Sequence, residues 1–217
     1  MPIEIDIFHD TVCPWCRIGN KHLFDALAQW QEQAVKLRWH PFLLDVKIPA
    51  TGWEFRRYME QRKGINSQTL QQLFDLTKQA GEAAGVKLNF DKVRLAVNTI
   101  LSHQLIALAP DTIKNNIVEA IYKAYFEDGL NIGDLDVIIA IGTAVGMDST
   151  ELQHQLSNNV AFDTVLAEST FARLNGVSSI PLYIINNKVR VDGSHSVEVF
   201  HQALNRAAII EISTKIW

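Results

Sequence analysis

The chain has 217 residues, 47% of them hydrophobic, with a formal net charge of -4. This composition fits a soluble globular protein with a real core and offers no basic patch for nucleic acid. No apolar run approaches the roughly 20 residues that span a bilayer, and the length suits one domain carrying an insertion better than two independent domains.

From Pro2 to His9 the chain alternates, with Ile3, Ile5 and Ile7 on one side and Glu4 and Asp6 on the other, which predicts a half-buried strand. The N-terminus has neither a basic segment nor a cleavable apolar core, so no signal peptide is expected and the reading is cytoplasmic. In that compartment a lone cysteine pair is more often catalytic than structural. The only two cysteines, Cys13 and Cys16, stand in Cys13-Pro14-Trp15-Cys16, directly after this strand. Beyond them Ile18, Leu23, Phe24, Leu27 and Trp30 follow helical spacing, and Pro14 suits the first turn of such a helix. A thiol at a helix N-terminus faces unpaired N–H groups and the positive end of the dipole, which favours its reactive thiolate. Cys13 is therefore expected to be exposed and nucleophilic, and Cys16, nearly one turn deeper, to be shielded and to resolve mixed disulfides. Strand, CxxC and helix together read as a dithiol–disulfide exchange site. Asp10, three residues before Cys13, reads equally as a turn residue or as a group that positions the loop or moves a proton.

A second strand is expected from Val35 to Phe42, followed by a loop from Leu43 to Trp53. From Trp53 to Asn175 the pattern turns helical. One helix opens at Ser67-Gln68-Thr69-Leu70. A long one is expected from Asp91 through Leu108, stopped by Pro110. The next runs from Asp111 to the stop at Gly129 and carries Tyr122, Tyr125 and Phe126 as core. Asp134 to Val145, a segment opened by the capping-box-like Asp148-Ser149-Thr150-Glu151, and Val160 to Leu174 complete the set, with Gly176 as the last C-cap. Strand character returns at Pro181 to Ile185. Asn186-Asn187 turns the chain into Val189-Arg190-Val191, and a final helix places Val197, Phe200 and Leu204 on one face. The order is β-α-β, a large helical block, then β-β-α. The fold class read from it is α/β, a thioredoxin-like fold with a large all-helical insertion: residues 1–52 and 176–217 form the thioredoxin-like domain and 53–175 the insertion.

Several separated phrases resemble the DsbA-like thioredoxin family, in particular its FrnE-type branch of cytoplasmic disulfide oxidoreductases and isomerases. They are Asp10-Thr11-Val12-Cys13-Pro14-Trp15-Cys16-Arg17-Ile18-Gly19, Trp39-His40-Pro41-Phe42, Asn98-Thr99 with Ser102-His103-Gln104-Leu105, Ala124-Tyr125-Phe126-Glu127-Asp128-Gly129, and Gly176 to Pro181 with Gly193-Ser194-His195. The resemblance implies that Cys13 attacks and Cys16 resolves. It implies that Ile180-Pro181 is a cis element whose preceding backbone pairs with a bound peptide like an added strand. Pro14, Trp15, Ile180, Pro181, Asn98 and His103 are its substrate-binding candidates, although on one continuous helix Asn98 and His103 would diverge by about 140°.

Arg17 departs from the aromatic residue usual after the second cysteine; it reads either as a charge that stabilises thiolates or as a helix-surface residue facing solvent. Ser102-His103-Gln104-Leu105 and Gly193-Ser194-His195 also depart from the family's usual wording. The implied partners are disulfide- or thiol-containing proteins or glutathione as redox partner, with no further cofactor, and the insertion is a candidate homodimer surface.

A rival within related folds is a glutathione-dependent transferase or isomerase of the kappa or 2-hydroxychromene-2-carboxylate isomerase type, in which a Ser typically stands where Cys13 is. The non-enzymatic rival is a metal-binding or chaperone-like module. One CxxC supplies only two of the four ligands that structural zinc takes, and His9 and His22 offer no finger spacing. His9 reads as an ordinary strand-end residue.

Overall fold

Strand β1 (Ile3–His9) lies at the interior of a four-stranded mixed sheet. This arrangement is seen in a computed structural model describing residues 2–214, so Met1 and residues 215–217 at the end of the expected last segment lie outside the described residues. The alternation of β1 works as read: Ile3, Ile5 and Ile7 are completely buried. After helix α1 (Pro14–Gln29), strand β2 (Val35–Pro41) pairs parallel to β1, with Ile5 opposite Leu37 and Ile7 opposite Trp39. At the far end of the chain β5 (Leu182–Ile185) pairs antiparallel to β1, and β6 (Val189–Asp192) antiparallel to β5, giving the order β2-β1-β5-β6. Asn186 and Asn187 turn this hairpin with φ of 50° and 54°, a conformation that Asn tolerates better than most residues. Helix α9 (Val197–Thr214) packs beside α1 and against β1, β5 and β6, with the Phe200 ring edge-on to Tyr183 at 4.9 Å. The mixed α/β thioredoxin-like architecture follows the sequence pattern.

Between β2 and β5 the chain is mainly helical. A short strand β3 (Trp53–Glu54) leads into α2 (Phe55–Lys63), which the apolar pattern did not separate, and α3 (Ser67–Ala83) is capped by Asn66 rather than opened freely at Ser67. The long helix expected from Asp91 is not formed. Residues Leu95–Ala96 instead make β4, paired antiparallel with β3, and α4 (Ile100–Leu108) begins only after Asn98 Oδ1 has accepted the Ile100 N–H. Leu95 and Ala96, inside the expected helix, thus went to a ladder with Trp53 and Glu54, a choice that only the tertiary partner can make.

Helix α5 (Asp111–Lys123) runs on into a π-helical turn, Ala124–Asp128, where the expected single helix widens before Gly129. Gly129 has φ +73°, and a Cβ there would lie 2.4 Å from the Lys92 carbonyl oxygen. Both the backbone and the space require glycine. Helices α6 (Leu135–Ala144), α7 (Ser149–Ser157) and α8 (Phe162–Leu174) complete the block. Asp134 caps α6, and Asp148 caps α7 by accepting the Glu151 N–H. Among the described residues no helix is long and apolar enough to cross a membrane.

The polar face of the β1–β2 pair carries an ion network. Asp6 accepts from Arg38 Nε at 2.7 Å and lies 2.7 Å from His40 Nε2, while Glu168 of α8 lies 3.8 Å from His40 Nδ1. Burial alone would raise the Asp6 carboxyl. Hydrogen bonds from His40 and Arg38, and their charges, overcome it and hold the group at about 2. Burial would likewise lower His40, but Asp6 and Glu168 lift it to about 9. The Asp6 contribution is present above its ordinary 3.8 and lost as pH falls through about 2. The His40 contribution is complete below its ordinary 6.5 and lost as pH rises through about 9. Urea unfolding of the wild type and His40→Asn across this range should show a constant stability gap from about pH 4 to pH 6.5 that closes toward pH 9; a gap independent of pH would show that the ion pair contributes nothing.

Candidate active site

The Cys13-Pro14-Trp15-Cys16 segment is the junction of β1 and α1. Cys13 is the N-cap of α1: its Sγ accepts the Cys16 backbone N–H at 3.3 Å, and its carbonyl accepts from Cys16 and Arg17. Pro14 occupies the first turn, where its missing N–H breaks no helical bond. The two thiols are unbridged. Cys16 is fully buried and Cys13 is only 6% exposed, so the exposed outer cysteine expected from the sequence is instead buried, enclosed by the packing around the turn, though less completely than Cys16. The inner thiol is pushed well above the ordinary value, by burial first and then by the hydrogen bond and charge of Cys13; a backbone hydrogen bond from Asp10 acts the other way. Cys16 is thereby held protonated beside Cys13.

The turn leading into Cys13 is locked from beneath. Asp10 is fully buried: its Oδ2 accepts the Leu44 N–H at 2.7 Å, its Oδ1 lies 3.3 Å from His103 Nε2, and its carbonyl accepts the Cys13 N–H at 3.0 Å. Thr11 Oγ1 lies 2.7 Å from Ser102 Oγ, which donates to the Thr99 carbonyl. Tyr122 of α5 donates to the Asp10 carbonyl at 3.3 Å and lies 2.9 Å from His9 Nδ1. Burial and then the nearby Cys16 and Cys13 thiols push the Tyr122 hydroxyl well above its usual range. The His9 imidazole is held well below its usual value by burial and by the charges of His103 and His40. His9 is thus a buried member of the network under the site, not an ordinary strand end, and its role and that of Tyr122 escape any periodicity.

The candidates singled out by resemblance are placed unevenly. The Ile180–Pro181 bond is cis, and Ile180 precedes Leu182, the first paired residue of β5. Pro181 abuts α1 at Gly19, where an added Cβ would stand 3.2 Å from its Cγ and 2.5 Å from the Tyr183 hydroxyl oxygen. Pro14 and Trp15 border a cavity enclosed mainly by the helical block. His103 sits under the turn on Asp10 and is 2% exposed. Asn98 is not on the helix with His103; its amide donates to the Ile48 carbonyl at 2.7 Å and steadies the loop after β2.

Arg17 does not face solvent, one of its two expected readings, because its guanidinium is drawn inward by carboxylates of the helical block. It is 4% exposed, and its guanidinium donates to the Lys87 carbonyl, to Glu119 at 2.7 Å and to Glu127 at 2.6 Å. His195 bonds to the Asp192 carbonyl and to His22 through its own carbonyl, a bracket between the end of β6 and α1. Among the described residues no group of three or more His, Cys, Asp or Glu is placed to hold a metal ion.

A family model described as the DSBA-like thioredoxin domain matches residues 4–205. Among solved structures, a probable DsbA oxidoreductase of Streptomyces coelicolor is similar with a TM-score of 0.85 and 23% identity, over 94% of this chain and 89% of that one. A 2-hydroxychromene-2-carboxylate isomerase is similar with a TM-score of 0.71 and 15% identity, over 97% and 98%. The cytosolic disulfide reductase DsbM of Pseudomonas aeruginosa, solved with GSH, gives a TM-score of 0.62 and 15% identity, over 98% and 100%.

The network under the turn makes Asp10 the most sensitive polar residue of the site. Asp10→Ala should lower the unfolding free energy by about 1–3 kcal/mol, because the Leu44 and His103 groups lose their acceptor. Asp10→Asn, which keeps one acceptor oxygen, should lose less. Equilibrium urea unfolding reads both, and equal losses would show that the carboxyl oxygens do not share the work as described.

Proposed function

Because the chain belongs to the DSBA-like thioredoxin domain family, we propose that Cys13 and Cys16 carry out thiol–disulfide exchange on protein or small-thiol substrates. The observation that carries this reading is the unequal placement of the two sulfurs: Cys13 caps a helix whose N–H groups and dipole favour a thiolate, while Cys16 is buried and held as a thiol beside it. The Cys13 thiolate attacks one sulfur of a substrate disulfide. A Cys13–substrate disulfide forms, and the other substrate sulfur leaves as a thiolate that takes up a proton. Cys16 then loses its proton and attacks Cys13 Sγ, forming the Cys13–Cys16 disulfide and releasing the second substrate thiol. Two electrons and two protons have passed from protein to substrate, and a thiol such as glutathione returns them by the reverse steps.

When a substrate thiol rather than Cys16 resolves the mixed disulfide, the same chemistry isomerises disulfides. The balance among oxidation, reduction and isomerisation follows from the reduction potential of the pair against its surroundings. A cytoplasmic location, favoured by the cytosolic DsbM relative, would run the pair as a reductase or isomerase, and the GSH in that structure supports glutathione as the recycling thiol. Pro14, Trp15 and the backbone at Ile180–Pro181 form the substrate-facing surface in this reading; His103 is a positioning residue acting through Asp10, and Asn98 acts through the loop after β2.

Oxidant should remove both titratable thiols of the wild type as one intramolecular disulfide, read by alkylation mass shift. Cys13→Ser should reduce exchange to the uncatalysed rate, and Cys16→Ser should accumulate a Cys13-linked mixed disulfide visible by intact mass. Full exchange activity in Cys13→Ser would end the proposal. Glutathione-dependent isomerisation or conjugation that survives Cys16→Ala would instead support the transferase-type chemistry, which needs only the outer sulfur position.

A further inference from the structure

The cavity bordered by Pro14 and Trp15 has a volume of about 470 Å3, and its remaining walls come from α2, α3, the 90–99 segment, the π-helical turn and the loop at Leu44–Ile48. It is aromatic inside: Phe74 and Phe90 stack with centroids 4.3 Å apart, and Phe126 meets Phe90 edge-on at 6.2 Å. Its mouth is apolar too, since Trp15, Leu44 and Leu73 line it and remain 37%, 45% and 40% exposed. Most polar groups that reach the walls are already engaged, the Thr99 hydroxyl excepted. Asp10 serves His103 and Leu44, the Tyr58 hydroxyl donates to Asp45, Asp45 pairs with Lys63 at 3.5 Å, and Thr77 donates to the Leu73 carbonyl.

Resting on the exchange chemistry proposed above, we infer that this cavity receives the apolar body of a low-molecular-weight disulfide or thiol, an aryl or comparably bulky hydrocarbon group whose sulfur meets Cys13 at the mouth. The volume falls in the range of small-molecule sites, roughly 300–1,000 Å3. A peptide backbone or glutathione would bring many amides and charges to walls that are mainly apolar and whose polar groups are mostly engaged, a costly burial. A hydrocarbon group gains from the same walls by leaving water. Val12, Pro14 and Trp15, which flank Cys13 in the chain, line the cavity, so its mouth opens at the turn that carries the nucleophile. In the exchange the ligand S–S bond breaks as the Cys13 bond forms, and resolution by Cys16 leaves two ligand thiols and the oxidised protein.

The test compares two mixed disulfides of cysteine with the reduced protein, one carrying 2-naphthylmethanethiol and the other 2-mercaptoethanol. Oxidation of the Cys13–Cys16 pair is followed in a single turnover by alkylation mass shift. The naphthyl compound should half-saturate at a concentration at least ~10-fold lower. Leu73→Glu, which puts a charge on the exposed rim, and Ala96→Phe, which fills the interior, should each shrink that preference several-fold. Leu73→Glu keeps the result decisive if the filled variant fails to fold. Equal half-saturation by the two compounds, or a preference untouched by Leu73→Glu, overturns the inference.

A redox-silent naphthylmethyl methyl thioether, titrated calorimetrically into the Cys13→Ser/Cys16→Ser double variant, separates the two proposals. Binding without reduction of either disulfide by the wild type would sustain the cavity and end the exchange reading. Reduction of both at equal affinity without thioether binding would end the cavity reading alone.

Discussion

A carboxyl group with no access to water must find its partners inside the protein, and Asp10 finds them in segments that are far apart in sequence. Its side chain takes the Leu44 N–H from the loop after β2 and meets His103 from α4, while its backbone holds Cys13 and receives the Tyr122 hydroxyl from α5. Thr11 adds the contact with Ser102. The turn between β1 and α1 is therefore set by the helical block as much as by the strand and helix it joins. Any displacement of α4 or α5 would move the Asp10 backbone, and with it the N-cap that presents Cys13.

Arg17 makes the same connection from the other side of the dithiol. One residue beyond Cys16, it reaches the carbonyl of Lys87 and the carboxyls of Glu119 and Glu127, so the first turn of α1 is fastened to α5, to the π-helical turn and to the segment after α3. With Asp10 before the motif and Arg17 after it, both ends of Cys13-Pro14-Trp15-Cys16 are tied to the insertion. The sulfurs themselves are differentiated by depth. One lies at the N-cap and the other is fully buried, and burial is the leading reason that the inner thiol keeps its proton.

The insertion also shapes what lies in front of the motif. The π-helical turn at Ala124–Asp128 carries Tyr125 and Phe126 inward together; the Tyr125 hydroxyl donates to the Leu95 carbonyl at 2.9 Å, and Phe126 stacks edge-on to Phe90. These residues are core by burial, as their spacing suggested, and they also form part of a cavity wall. Trp15, fixed in position by the first turn of α1, closes the other side of that cavity. The turn that carries the dithiol, through Val12, Pro14 and Trp15, thus borders the aromatic interior.

Local regularities made much of this legible in the chain itself. The period-two run at Ile3, Ile5 and Ile7, the helical spacing after Cys16, the Asn186–Asn187 turn and the Cys-Pro-Trp-Cys junction each depend on neighbours within a few residues, and each is where the pattern placed it. The β4 segment shows the limit: Leu95 and Ala96 suited a helix and became a strand because Trp53 and Glu54 lay alongside. The buried partners of Asp10, the inward course of Arg17 and the enclosure of Cys13 were decided in the same way. Spacing along a chain specifies which face a residue occupies, whereas hydrogen-bond partners and solvent access depend on segments dozens of residues away that only folding brings into reach.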